Sequence, residues 1–281
     1  MWYEGEWLEH YGIPGQKWGV RRYQNLDRTR TEEGKLRYRE SLGKQFDQAE
    51  KDVRERASNR YSKFVRKPVN VDIVKARGNL SAREAMRCVS IANRLFSKSS
   101  AVEPQVTRDV LSSVVKSGGE MFGLENRLKQ PDSLAAKIGQ EANDKHVSFE
   151  RASKLINDSI RYTAISNDRD FVRNYERIKD QLKELGYTEV RCRNYFESYR
   201  LGKVKHKSVQ SVFEDRDGNR FELQFQTPSS QAAKELKIPL YAERRMSGVS
   251  EARKKALEMQ MHDLAERVSD PKDIFDIPSH G

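Results

Sequence analysis

The sequence predicts an α+β domain, a mixed sheet of four to five strands flanked by helices, preceded by a long N-terminal helix and a tryptophan-rich arm. Three observations carry that expectation. "KSVQSVFEDRDGNRFELQFQT" (207–227) reads as two strands on either side of Asp217-Gly218, the signature of a hairpin turn. "SIRYTAI" (159–165) and "TEVRCRNYF" (188–196) are rich in β-branched and aromatic residues, as strands are. Around them, apolar residues recur every three or four positions, which is the helical period.

At 281 residues the chain can hold one large domain plus an extension. Its 36% hydrophobic and 34% charged residues are polar for a compact globule, so part of the chain is expected outside the core. A net charge of +11 suits contact with nucleic acid or nucleotide phosphates and says nothing about fold. No apolar run approaches the roughly 20 residues that cross a bilayer, so no membrane contact is expected. The opening "MWYEGEWLEH" is acidic and aromatic, unlike a signal peptide. Cys88 and Cys192 are too few for a disulfide framework or a zinc site. Both are expected to be inert, and synthesis in a reducing cytoplasm is expected.

Taken in order, residues 1–31 hold all three tryptophans, Trp2, Trp7 and Trp18. So short a segment cannot bury three indoles by itself. It is either an arm folded back on its own domain or a docking tag for another protein. From Glu32 to Phe64 the chain reads as one helix, assigned to 32–66, with Leu42, Phe46, Ala49, Val53, Ala57, Tyr61 and Phe64 on one stripe. The stripe is narrow, like a packing seam, which leaves self-association open. Residues 67–80 read as a linker. Ser81 and Glu84 form a capping-box pattern at the start of the main domain, 81–270. A helix is expected from Pro104 to Lys116, ended by Gly118-Gly119, and another from about Ser148 to Asn157. "DFVRNYERIKDQLKELGY" (170–187) puts Phe171, Tyr175, Ile178, Leu182 and Leu185 on one face of a helix. Helix returns after Pro228 and again from about Ser250 to Val268, and 271–281 reads as a loose tail.

Two stretches can carry chemistry. In "RLKQPDSLAAK" (127–137) Pro131 is pre-shaped for a first helical turn, and Ser133 and Lys137, four apart, share one face. With Arg127 and Lys129 leading in, three cations and a hydroxyl meet near a helix N-terminus, a polyphosphate cradle. The same residues also read as a solvated basic helix start. In "NRFELQFQT", Phe221, Leu223 and Phe225 point one way and Glu222, Gln224 and Gln226 the other. The polar row is either plain exposure or a site. Asp158 is either a turn residue or, if it converges with Glu222, half of a two-carboxylate Mg²⁺ site.

"RLKQPDSLAAK", "DSIRYT" and "FELQFQT", in that order over about 100 residues, resemble the synthetase domain of RelA/SpoT proteins. These are nucleotidyltransferase-fold enzymes that move the β,γ-pyrophosphate of ATP onto a ribose hydroxyl. The resemblance implies that Arg127, Lys129, Ser133 and Lys137 hold ATP phosphates and that Asp158 and Glu222 bind Mg²⁺. Glu222 would also activate the attacking hydroxyl, with Arg161, Gln224 and Thr227 in acceptor or supporting roles. Two features depart from the family pattern. Asp158 stands closer to Arg161 than the family spacing, and "HKSVQSVF" has Val209 where the family's guanine-stacking tyrosine stands. A nucleotide or a tRNA end therefore both stay open as acceptor.

"HYGIPGQKWGVRRYQNLDRTRTEEGKLRY" (10–38) resembles a tag found on head and other structural proteins of phages and prophages. The match rests on His10, Trp18, Arg21, Arg22 and Tyr23 and their glycine spacing, with Trp7 just ahead. It implies a phage-encoded protein in the virion or the host bacterial cytoplasm, docked through residues 1–65 to virion proteins. The alternative to an enzyme is thus a virion-associated protein that keeps the fold without activity. His146, His206, His262 and His280 are scattered and show no metal-ligand spacing.

Overall fold

A computed structural model describes Tyr23 and residues 31–204, 206–244 and 248–281. Contacts divide the chain into two units, Met1–Asp47 and Gln48–Gly281. In the first, helix α1 (Glu32–Arg56) begins, and the Arg37 guanidinium lies 4.4 Å over the Tyr23 ring. The helix ends at Arg56, short of the expected Phe64. Beyond Ala57 the backbone turns to other partners: Ser58 N–H donates to Met121 O, and Asn59 bonds Gly119 O and Met121 N–H. The apolar residues that prolonged the helical pattern serve an extended segment instead, with Phe64 against Phe96 at 5.9 Å.

The expected linker also carries structure. Asn70 accepts from the backbone N–H groups of Asp72 and Ile73 and so caps α2 (Val71–Gly78). The Ser81–Glu84 capping box is present at the start of α3 (Ala82–Lys116). This helix runs 35 residues, straight through Pro104, where the sequence suggested a start. An interior proline removes one helical hydrogen bond and crowds the preceding turn. Here Ile91, Ala92 and Phe96 before it and Val106, Val110 and Val114 after it are all buried, so packing on both sides holds the helix together.

The remaining helices are α4 (Pro131–Lys145), α5 (Phe149–Ser153), α6 (Phe171–Glu184), α7 (Tyr195–Arg200), α8 (Pro228–Arg244) and α9 (Glu251–Glu266). Among the described residues one sheet has five strands: β1 (Glu120–Met121), β2 (Arg161–Ile165), β3 (Thr188–Asn194), β4 (Val209–Glu214) and β5 (Arg220–Gln226). Their order is β1-β2-β5-β4-β3, with β2 and β5 parallel and the other pairs antiparallel. This mixed α+β architecture is consistent with a nucleotidyltransferase-like fold.

Register makes the two sheet faces unlike. Phe221, Leu223 and Phe225 stand opposite Phe213, Ser211 and Val209, and this apolar face packs against α6, where Tyr175 meets Phe225 edge-on at 5.0 Å. The other face aligns Arg161 with Glu222 and Thr163 with Gln224. It is not open to solvent: β5 is buried from Phe221 to Gln226, because α8 covers its polar side. Val209, in the place of the family's stacking tyrosine, is a core residue on the apolar face.

The tail is not loose. Ile274 and Ile277 are buried, the Asn194 side chain donates to both of their carbonyls, and Cys192 and His280 exchange two backbone hydrogen bonds. Among the described residues no helix is long and apolar enough to cross a membrane.

Candidate active site

The site grows from the point where chain segments converge beside β2. The stretch leading into α4 runs antiparallel to the entry of β2, with Lys129 N–H donating to Ser159 O and Arg161 N–H to Arg127 O. On the other side, Glu222 N–H donates to Ile160 O. The backbones of Arg127, Arg161 and Glu222 are therefore near neighbours. Gln130, the residue before α4, is pinned by its amide to Lys67 N–H and Val65 O, which fixes where that helix starts.

Two lysines grip one carboxylate. Lys129 Nζ donates to Asp158 Oδ2 over 2.5 Å and Lys137 Nζ to Oδ1 over 2.8 Å. Burial alone would raise the Asp158 carboxyl, but the two ammonium groups outweigh it and hold it at about 2. Burial, with help from Lys137 and Arg161, lowers Lys129 below the usual lysine range against the pull of Asp158. Ser133 sits in the first turn of α4 and donates its N–H to Asp132 Oδ1 over 2.7 Å.

A second cluster lies along β5. Gln224 Nε2 donates to Glu222 Oε1 over 2.5 Å, and Lys234 Nζ from α8 donates to Gln224 Oε1 over 2.7 Å. Lys234 is lowered to about 8 by burial and by Arg161, with Glu222 opposing. Arg161 thus acts electrostatically on Lys129 in the first cluster and Lys234 in the second. Lys234 escaped the sequence reading because "SSQAAKELK" has no distinguishing spacing; only the docking of α8 gives it a partner. Beyond it, His206 is lowered to about 4 by burial and by Lys237 and Lys234, so its ring is neutral at pH 7. That ring stands 4.3 Å from the Tyr195 ring.

Two of the expected site residues have other partners. Arg127 is 2% exposed and turned inward. Its Nε bonds Glu103 at 2.5 Å, Nη1 bonds Ser62 O and Leu124 O, and Nη2 bonds the Tyr61 hydroxyl. All three nitrogens are engaged, so the guanidinium clamps α3 to the 61–62 segment. Thr227 caps α8, its hydroxyl accepting from Ser230 N–H at 3.1 Å. Trp7, His10, Trp18, Arg21 and Arg22 lie outside the described residues. A cavity of about 580 Å³, lined by Ile91, Lys98, Ile156 and Arg220 among others, contains none of the expected site residues.

The donors fit a magnesium ion unequally. Glu222 Oε1 is held by Gln224, while this carboxylate forms no ion pair among the described residues. Each oxygen of Asp158 meets an ammonium group, so this carboxylate is a counter-ion as it stands. It fits a dication only once the lysines turn to another anion.

Neither a protein-family profile nor a curated protein sequence matches the chain. Solved structures do. The small alarmone synthetase 1 of Bacillus subtilis, bound to its product pppGpp, is similar over 50% of this chain and 71% of its own, at 17% identity and a TM-score of 0.37. A GTP pyrophosphokinase family protein of Streptococcus pneumoniae is similar over 50% and 68%, at 16% identity and a TM-score of 0.37. The complex between the Type VI effector Tas1 and its immunity protein also contains a similar chain, over 63% and 96%, at 14% identity and a TM-score of 0.39. What these proteins bind is their own property and does not transfer to this chain at such identities.

Proposed function

We propose that residues 81–270 transfer the β,γ-pyrophosphate of ATP to a ribose hydroxyl of a nucleotide or a tRNA end, with Mg²⁺. The observation that carries the reading is the charge imbalance of a buried site. Lys129, Lys137, Arg161 and Lys234 stand around Asp158 and Glu222; the further carboxylate beside Lys234, Glu235, is already paired with Arg56. Buried charge without a partner is expensive, and a polyphosphate supplies the missing anions.

In this reading Asp158 occupies the two lysines until ATP arrives. The phosphates then take Lys129 and Lys137, and Asp158 is released. Glu222 and the freed Asp158 would be the residues to hold Mg²⁺, which would supply neutralisation of phosphate charge. Glu222 accepts the proton of the attacking hydroxyl, held in position by the Gln224–Lys234 chain. The bond from the ribose oxygen to the β-phosphorus forms as the α–β anhydride bond breaks, and AMP leaves. On the acceptor side, the neutral Tyr195–His206 pair offers a base the aromatic surface that Val209 cannot. Docking of residues 1–65 to a virion protein is the second half of the proposal and rests on the tag's sequence.

The test is transfer of label from ATP to acceptor. Glu222→Gln keeps an oxygen for Gln224 to bond, so it folds like the wild type; transfer falls by at least about 100-fold. A Glu222→Gln protein as active as the wild type would refute the reading.

A further inference from the structure

The edge strand β3, two strands from β5, carries a separate cluster of side chains suited to a metal. Glu189, Cys192 and His280 bring a carboxylate oxygen, Sγ and an imidazole nitrogen within 4.8 Å of one another. In a regular strand, residues three apart point to opposite faces. Here the ladder to β4 slips between Glu189 and Arg191, and this bulge turns Glu189 and Cys192 to the same side. His280 comes from 88 positions further along the chain and is fixed opposite Cys192 by a reciprocal pair of backbone hydrogen bonds, 2.9 and 2.8 Å. Neighbouring contacts hold that register: Ser279 Oγ accepts from Asn194 N–H, and Gly281 lies so close to β3 that a Cβ there would stand 2.5 Å from Val190 O.

The donor geometry is close to what a tetrahedral ion needs. Ligands bound at about 2.0–2.3 Å lie roughly 3.3–3.8 Å apart. His280 Nε2 and Glu189 Oε2 are 3.7 Å apart. Tyr175 donates its hydroxyl to Glu189 Oε1 at 3.0 Å and lies 3.5 Å from Cys192 Sγ. It therefore stands where an outer partner orients a ligating carboxylate. A thiolate and a carboxylate together cancel the charge of a dication, which suits a site in which Cys192 is wholly buried and the Glu189 side chain is 8% exposed.

We propose that Glu189, Cys192 and His280 bind one thiophilic divalent cation of the zinc type, with water as fourth ligand. Binding displaces the Cys192 proton to solvent and staples residues 274–281 to β3. The proposal is independent of the transfer chemistry.

The full chain, stripped with a chelator, is titrated with Co²⁺ and then Zn²⁺. The expected result is a thiolate-to-cobalt charge-transfer band that saturates at one equivalent and is abolished by Zn²⁺. His280→Ala, whose side chain is 44% exposed, should fold and bind Co²⁺ at least about 100-fold more weakly. Cys192→Ser should lose the band, and if it does not fold, Glu189→Gln serves as the second variant. Absence of the band at one equivalent, or a band unchanged in His280→Ala, would overturn the site.

Discussion

Lys129 and Asp158 form a buried ion pair at 2.5 Å, with side chains 14% and 11% exposed, and Lys137 closes on the other oxygen. A carboxylate held at about 2 against an ordinary 3.8 has its folded form depressed. Its contribution to stability is therefore full above pH 4 and is lost as the pH falls through about 2. The increment is about 2 kcal/mol. Asp158→Asn should be less stable than the wild type near neutral pH, and denaturant titrations should show the gap narrowing between about pH 4 and 2. A gap that is constant over that window would contradict the ion-pair account.

Arg127 is predicted to matter for folding. Its removal leaves Glu103 buried at 6% exposure without its cation. Loss of one partner of such a pair destabilises by about 3–5 kcal/mol. Arg127→Ala should therefore shift the denaturation midpoint strongly. Lys137→Ala, with a side chain 31% exposed, should shift it little and weaken ATP binding instead. Calorimetric titration with ATP alongside urea denaturation separates the two.

Lys234 gives a pH dependence of the same sign in a more alkaline window, from a destabilising buried charge instead of a stabilising one. A lysine lowered to about 8 loses its proton in the folded chain while the unfolded chain keeps it up to 10.5. Stability from this group rises with pH across that window, as the buried ammonium is relieved. Its attraction for phosphate fades over the same range. ATP affinity should fall as pH passes about 8, and Lys234→Met should bind weakly at all pH values with a flatter profile.

Tyr195→Ala tests the acceptor side. The prediction is a higher KM for the acceptor, with ATP affinity kept within about two-fold, because the Tyr195 ring pairs with the His206 ring. Equal loss for both substrates would assign Tyr195 to packing.

How much of this was legible in the sequence depends on the range of the forces involved. Strands β2, β3, β4 and β5 were readable, because strand composition, period-two alternation and the Asp217-Gly218 turn are local signals. The faces of β5 followed from the same alternation, and Glu222 with Gln224 on one side is what the register shows. Pro104 misled because a local helix-breaking signal yields to packing along both halves of α3. The apolar spacing at Tyr61 and Phe64 misled for the converse reason: each anchors an extended segment, Tyr61 on Arg127 and Phe64 on Phe96. Lys129, Lys137 and Asp158 were each singled out in the sequence, and the structure brings their side chains together, although the two ion pairs between them were not foreseen. The partners of Arg127, the arrival of Lys234 and the pairing of Cys192 with His280 were not legible, since each depends on segments meeting across the fold.

The most direct test of the central claim is incubation of the full chain with Mg²⁺ and ATP labelled on its γ-phosphate, with GDP, GTP or deacylated tRNA supplied separately. The account predicts label on one acceptor with release of AMP, lost in Glu222→Gln although that protein remains folded. A folded wild-type chain that transfers no label to any of them, or a Glu222→Gln variant that transfers as well as the wild type, would contradict it.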